Sequence, residues 1–131
     1  MELIEFDKIE NYIEQIRGVT YKSHDASDRP KIGYIPIVRA NNIQDGKFDY
    51  SELVYVNREK VKEHQLIKKG DIIIASSSGS KHIVGKAAQA LNDMNFSFGA
   101  FCKLIRANDK INSNYLGHYF NSQYYRKTIS F

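Results

Sequence analysis

The sequence holds a single cysteine, Cys102, which excludes an internal disulfide and a zinc site built from cysteines. Tryptophan is absent and proline occurs only twice. No Pro/Gly-rich linker, low-complexity tract or internal repeat divides the chain. No apolar run approaches the roughly 18–20 residues of a membrane helix. The N-terminal stretch MELIEFDKIE is acidic, unlike a signal peptide. These absences point to a cytoplasmic chain with no membrane partner. Asn95-Phe96-Ser97 matches a glycosylation sequon, but without a secretion signal the match is chance.

What is present suits one domain: 131 residues, 42% apolar and 26% charged. Nine Tyr and seven Phe carry much of the burial. Charge is uneven along the chain. Residues 1–63 hold 10 Lys/Arg against 12 Asp/Glu, whereas residues 64–131 hold 9 against 3. A basic second half suits either a polyanionic partner or an ordinary basic surface.

Periodicity predicts a helix over residues 7–17. Asp7 and Glu10 resemble a capping box, and Ile9, Tyr12, Ile13 and Ile16 fall on one helical face. Gly18 is placed to end that helix. Strands are expected at Tyr34–Val38, Leu53–Val56, Ile72–Ala75, Ile83–Leu91 and Phe96–Ile105. Pro36 argues for an edge or a bulge, Asp45-Gly46 for a tight turn, and Asn57 for the cap of a short helix through His64. A second helix over 113–129 carries Tyr115, Leu116, Tyr119, Phe120 and Tyr124 on one side. The expected fold is α+β, a mostly antiparallel sheet core over 32–106 with an N-terminal and a C-terminal helix.

Catalytic motifs fail on inspection. Ser80–Ala87 has the spacing of a phosphate-binding loop, but Ser80 replaces its first glycine and Ala87 its magnesium-binding hydroxyl. Such a loop also leads into a helix, and the residues after Gly85 read as extended. Asp45-Gly46-Lys47 lacks the second carboxylate of a metal nuclease. His24, His64, His82 and His118 show no ligand spacing, and Cys102 lies in an apolar stretch that suits a small buried side chain. Ser76–Ser78 has neither a base nor an oxyanion hole in view.

Three stretches together resemble one family. They are Ile16-Arg17-Gly18-Val19-Thr20-Tyr21-Lys22, then Ile35–Ile43 with the Asp45-Gly46 turn and Leu53–Val56, then Leu66–Ala75 continuing to Gly79-Ser80 and Val84-Gly85-Lys86. Tyr115–Ser122 closes the pattern. This order resembles the target recognition domain of type I restriction–modification specificity subunits over roughly residues 8–128. The resemblance implies a non-catalytic module that reads one half of a split double-stranded DNA target. It also implies partners: a modification subunit that carries S-adenosylmethionine and methylates adenine, and a restriction subunit that uses ATP, with no cofactor on this chain. The family carries two such domains joined by long helices. This chain holds one and ends where the linker helix is expected to continue.

Sequence-specific reading needs cations for phosphates and matched donors and acceptors for base edges. The loop Ser76–His82 offers Ser76, Ser78, Ser80, Lys81 and His82, with Lys86 just beyond; the alternative is a solvated loop. Arg39 suits a guanine edge, or else an internal salt bridge, and Asn41 and Asn42 suit adenine edges, or else turn the chain. Arg17, Tyr21 and Lys22 suit phosphate contact or packing. Lys103 and Arg106 add charge, but alternate strand residues face opposite sides. Phe96, Phe98 and Phe101 suit a core, or a wedge against bases. The apolar stripe of the C-terminal helix suggests self-association.

Overall fold

Ile72, Ile73, Ile74 and Ala75 are all buried, so this run contributes side chains to both faces of a sheet, as its continuous apolar character predicts. It is the seventh of ten strands in a computed structural model that describes residues 11–76, 84–108 and 112–120. In chain order these are β1 (Ile13–Arg17), β2 (Ala26–Ser27), β3 (Tyr34–Val38), β4 (Ile43–Gln44), β5 (Lys47–Phe48), β6 (Val54–Asn57), β7 (Ile72–Ser76), β8 (Val84–Gln89), β9 (Ser97–Phe98) and β10 (Cys102–Ala107). Among the described residues one α-helix, α1, spans Ser113–Phe120. The first sheet has the order β1-β10-β7-β8, antiparallel throughout. The second has the order β2-β6-β3-β9, antiparallel except for β9, which runs parallel to β3.

The mostly antiparallel core is as expected, but of the two expected helices only the short α1, within 113–129, is found among the described residues. The described part of the N-terminal segment is a strand, since Ile13–Arg17 pairs residue by residue with Ala107–Lys103. Only Ile16 of β1 is buried, while Glu14, Gln15 and Arg17 are exposed, the pattern of an edge strand. Residues 7–10 lie outside the described residues, as do 121–129 of the expected second helix. Tertiary pairing with a segment some ninety residues away overrides the local helical spacing.

Gly18 also serves a different end from the helix stop that local reading assigns it. A Cβ there would lie 1.9 Å from the carbonyl oxygen of Gly99, because the chain crosses between the sheets twice at this point. One crossing follows β1, the other links β9 to β10. Val19 N donates to Phe98 O at 2.8 Å, and Gly99 N donates to Val38 O at 2.9 Å. Gly18→Ala is therefore expected to cost about 3 kcal/mol or more. The check is a lower urea midpoint at unchanged slope.

Other local expectations hold. Asp45 (φ 53) and Gly46 (φ 77) form a two-residue turn between β4 and β5 with both central residues left-handed. Asn57 Oδ1 accepts from Glu59 N at 3.0 Å, and this cap opens a pair of 3-10 turns rather than an α-helix. Two need correction. β3 is interior by strand order, yet β9 pairs only with Ile37 and Val38, so Pro36 has no β9 partner to disappoint. The expected strand Phe96–Ile105 is broken, because Cys102 N donates to Gly99 O at 3.0 Å and turns the chain from one sheet into the other.

Apolar clusters among the described residues fill the interior. One includes Ile16, Val38, Ile67, Ile73, Phe98, Cys102 and Leu104; a second includes Val19, Ile35, Ile37, Val56, Val61 and Leu66. Cys102 is a small buried side chain as expected, and burial pushes its thiol pKa from 9.0 up to about 12. Its folded value lies above its unfolded one, so the unfolded chain loses this proton first as pH rises. The contribution is complete below the unfolded pKa and is lost progressively toward the folded one. Stability is expected to fall above about pH 9 by up to about 1.4 kcal/mol per pH unit. Burial raises the Tyr50 pKa as well, which adds to the same trend at the alkaline end. Chemical denaturation of the chain and of Cys102→Ala across pH 7–10 checks this, the variant showing the shallower decline.

Candidate nucleic-acid interface

The seam where the chain crosses between the sheets lies at one end of both. β1 ends there at Arg17, β3 at Val38 before Arg39, and β7 at Ser76; β8 begins there at Val84 and β10 at Cys102. Two of the sequence-derived candidates, Arg17 and Arg39, thus come together from positions 22 residues apart. Ser76 ends β7 at this same end of the first sheet, at a register shift in the β7–β8 pairing between Ala75 and Ser76. Ser78, Ser80, Lys81 and His82 lie outside the described residues.

Arg17 is exposed and its main chain is fixed from below. Gln65, 8% exposed, donates from Nε2 to Arg17 O at 3.0 Å, accepts from Lys62 N at 3.0 Å, and its own carbonyl accepts from the Ser97 hydroxyl. No sequence signal marks Gln65, because its role depends on a residue 48 positions away. Across the β1–β10 ladder Arg17 faces Lys103, a like-charge pair in direct register. Burial, and secondarily the charge of Arg17, lowers the Lys103 ammonium pKa, and Lys103 Nζ donates to Gln15 Oε1 at 3.2 Å.

Arg39 is half-buried. Its Nε has no hydrogen-bond partner, and its side chain lines a groove of about 410 Å³ together with Asp28, Tyr50, Glu52 and Tyr55. Lys86 is exposed near the start of β8. Its register with Ala75 and Cys102 puts it on the core-facing side of the first sheet, opposite to Arg17. A ligand lying flat on one face meets one of them; a ligand approaching the end of the sheet meets both. Among the described residues, Arg17, Arg39 and Lys86 form no ion pair.

Other candidates serve the fold. Asn42 is 1% exposed, and its side chain is fully engaged: Oδ1 accepts from Arg39 N at 2.9 Å, and Nδ2 donates to Asp49 O and Glu52 O. It holds the loop after β3 and presents nothing to a base. Asn41 beside it is exposed, with its carbonyl accepting from Gln44 Nε2. Tyr21 packs half-buried on the second apolar cluster. Lys22 is exposed, and its main-chain N–H donates to Asp25 Oδ2 at 3.3 Å at the start of a 3-10 turn. Arg106 is committed to the interior, as a fork to Asp71 at 2.9 and 2.7 Å with further bonds to the carbonyls of His64 and Leu66. Of the three phenylalanines, Phe98 is buried and Phe96 half-buried, whereas Phe101 is 83% exposed on the seam turn.

Two curated relatives match closely. The chain is 50% identical over 115 residues, 88% of its length, to the StySPI specificity subunit of Salmonella potsdam and to the EcoKI specificity subunit of Escherichia coli K12. Its relatives are type I restriction enzyme specificity subunits. The chain spans about a quarter of the length of each. No family model matches. Among solved structures, the HsdS subunit of Thermoanaerobacter tengcongensis superimposes over 92% of this chain with a TM-score of 0.64 at 15% identity. A chain from a study of complex assembly in the type I R-M system gives 0.60 at 14%. The fold is thus that of a segment covering 27% and 28% of those two chains. The resemblance read from the sequence stretches is borne out.

Proposed function

We propose that this chain is a non-catalytic reader of one half-site of a split double-stranded DNA target, acting within a type I restriction–modification complex. The observation that carries this reading is the set of cations at the seam end. Arg17 is exposed at the end of β1, outside any ion pair among the described residues, and stands across the ladder from Lys103. Arg39 and Lys86 stand at the same end, Lys86 on the other face of the first sheet, and neither forms an ion pair among the described residues. Duplex phosphates are an anion that offers several such cations a contact each. In this reading S-adenosylmethionine belongs to a modification subunit and ATP to a restriction subunit, and this chain supplies only recognition.

A second reading is a protein-interaction remnant that assembles with a methyltransferase subunit, with another specificity half or with a second copy through its C-terminal helix, without touching DNA. A groove of about 530 Å³ beside β8, lined by Phe48, Tyr50, Leu91 and Met94, favours it. Salt separates the two. Three phosphate contacts give a log–log slope of about −2.7 and a roughly 40-fold loss of duplex affinity between about 50 and 200 mM salt. Fluorescence anisotropy with a labelled short duplex measures this. Binding that is absent at low salt, or flat in salt, leaves the assembly reading.

A further inference from the structure

Four large apolar side chains are strongly exposed among the described residues: Ile32, Tyr50, Leu91 and Phe101. Their places differ. Ile32 precedes β3 and Leu91 follows β8, so both lie at the end of the sheets away from the seam, while Tyr50 lines the groove beside β8 and stacks edge-on to Phe96. Phe101 alone stands at the end where the cations gather. It is 83% exposed although its neighbour Cys102 is 3% exposed.

Its mount is stiff. The turn that presents it is closed by the Cys102 N to Gly99 O bond, Gly99 is tied to Val38, and Phe98 is tied to Val19. Two sheets therefore grip the two ends of a four-residue turn, leaving the ring little to do but project. Lys103 comes two residues later in the chain, and Arg17 lies across the ladder from Lys103. An apolar ring held rigidly in water at the strand end that carries Lys103 and Arg17 matches the wedges that proteins drive between base pairs, with nearby cations meeting the phosphates.

We propose that Phe101 inserts between adjacent base pairs of the bound duplex and unstacks one step of the half-site. The inference rests on the DNA-reading proposal and adds a mode of recognition: part of the preference comes from how readily a step opens. Flexible pyrimidine–purine steps are the expected contact point.

The test uses the duplex enriched from a randomised pool, with 2-aminopurine placed in turn at successive positions. The 131-residue chain is expected to raise fluorescence at one step. Phe101→Ala is expected to abolish that rise and weaken binding about tenfold, while Phe101→Trp keeps both. Exposure of the ring predicts an unchanged urea midpoint for either variant, which separates loss of contact from loss of fold. Binding by the wild-type chain without unstacking at any position, or an alanine variant with wild-type affinity and profile, overturns the wedge and leaves DNA reading intact. A wild-type chain that binds no duplex overturns both.

Discussion

Asp71→Ala is expected to cost about 3–5 kcal/mol, the largest single loss in this chain outside its apolar clusters. Asp71 is 2% exposed and accepts three hydrogen bonds, two from the Arg106 fork and one from Lys68 N at 2.7 Å. That arrangement pins the loop from His64 to Asp71 against β10, since Arg106 also donates to the His64 and Leu66 carbonyls. Removing the carboxylate leaves a guanidinium that is only 23% exposed without its counter-charge. Hydrogen bonding to Asp71 is the main cause of the raised Arg106 pKa, a sign of how far the fork is committed. Against the roughly 5–15 kcal/mol of a typical domain, such a loss removes much of the fold at room temperature. The double variant Asp71→Leu with Arg106→Met is expected to recover a large part of it, because a buried pair replaced whole by apolar residues is often neutral. Urea denaturation of the two single variants and the double variant, read as a cycle, gives the coupling. An Asp71→Ala loss below about 1 kcal/mol would mean that the pair behaves as a surface bridge.

Arg17→Ala combined with Lys86→Ala is expected to lower duplex affinity on the order of 100-fold, taking about 1.5 kcal/mol for each charge-assisted contact. The salt slope should fall by about two, one unit for each phosphate released. Both side chains are exposed and, among the described residues, outside any ion pair, so the fold should not change. Arg17→Lys alone keeps the charge and the slope but loses the planar fork, so a smaller loss is expected there. An equal loss for Arg58→Ala would argue against a localised site. Arg58 is already engaged with Glu63 at 2.9 Å and with Val61 O.

Much of this architecture is legible in the residues, and the rest is hidden for definable reasons. β3, β6 and β7 and the Asp45-Gly46 turn come from local rules: short apolar runs, and a dipeptide that tolerates left-handed backbone. β1 misleads because Ile9, Tyr12, Ile13 and Ile16 satisfy a helical period, while its pairing partner lies at the far end of the sequence. The break between β9 and β10 is invisible for a similar reason. It depends on Gly18 and Gly99 meeting backbone to backbone, which no window of neighbouring residues contains. At the candidate interface, Arg17, Arg39 and Lys86 are proposed by residue type alone, since cations suit phosphates wherever they surface, and the structure adds that they lie at the same end of the sheets. Asn42 has the right type and a buried, fully engaged side chain, and Tyr21 is spent on packing. Among Phe96, Phe98 and Phe101, composition cannot tell the wedge from the core. The seam turn decides it.

The claim that the seam end reads sequence is tested most directly by selection of the purified chain on a fully randomised short duplex pool, sequenced after binding at low and at moderate salt. A half-site reader is expected to enrich one short motif, with affinity that falls as salt rises and with the motif lost when Arg17, Lys86 and Phe101 are replaced together. Salt-sensitive binding with no enriched motif, or a motif that survives that replacement, would contradict it.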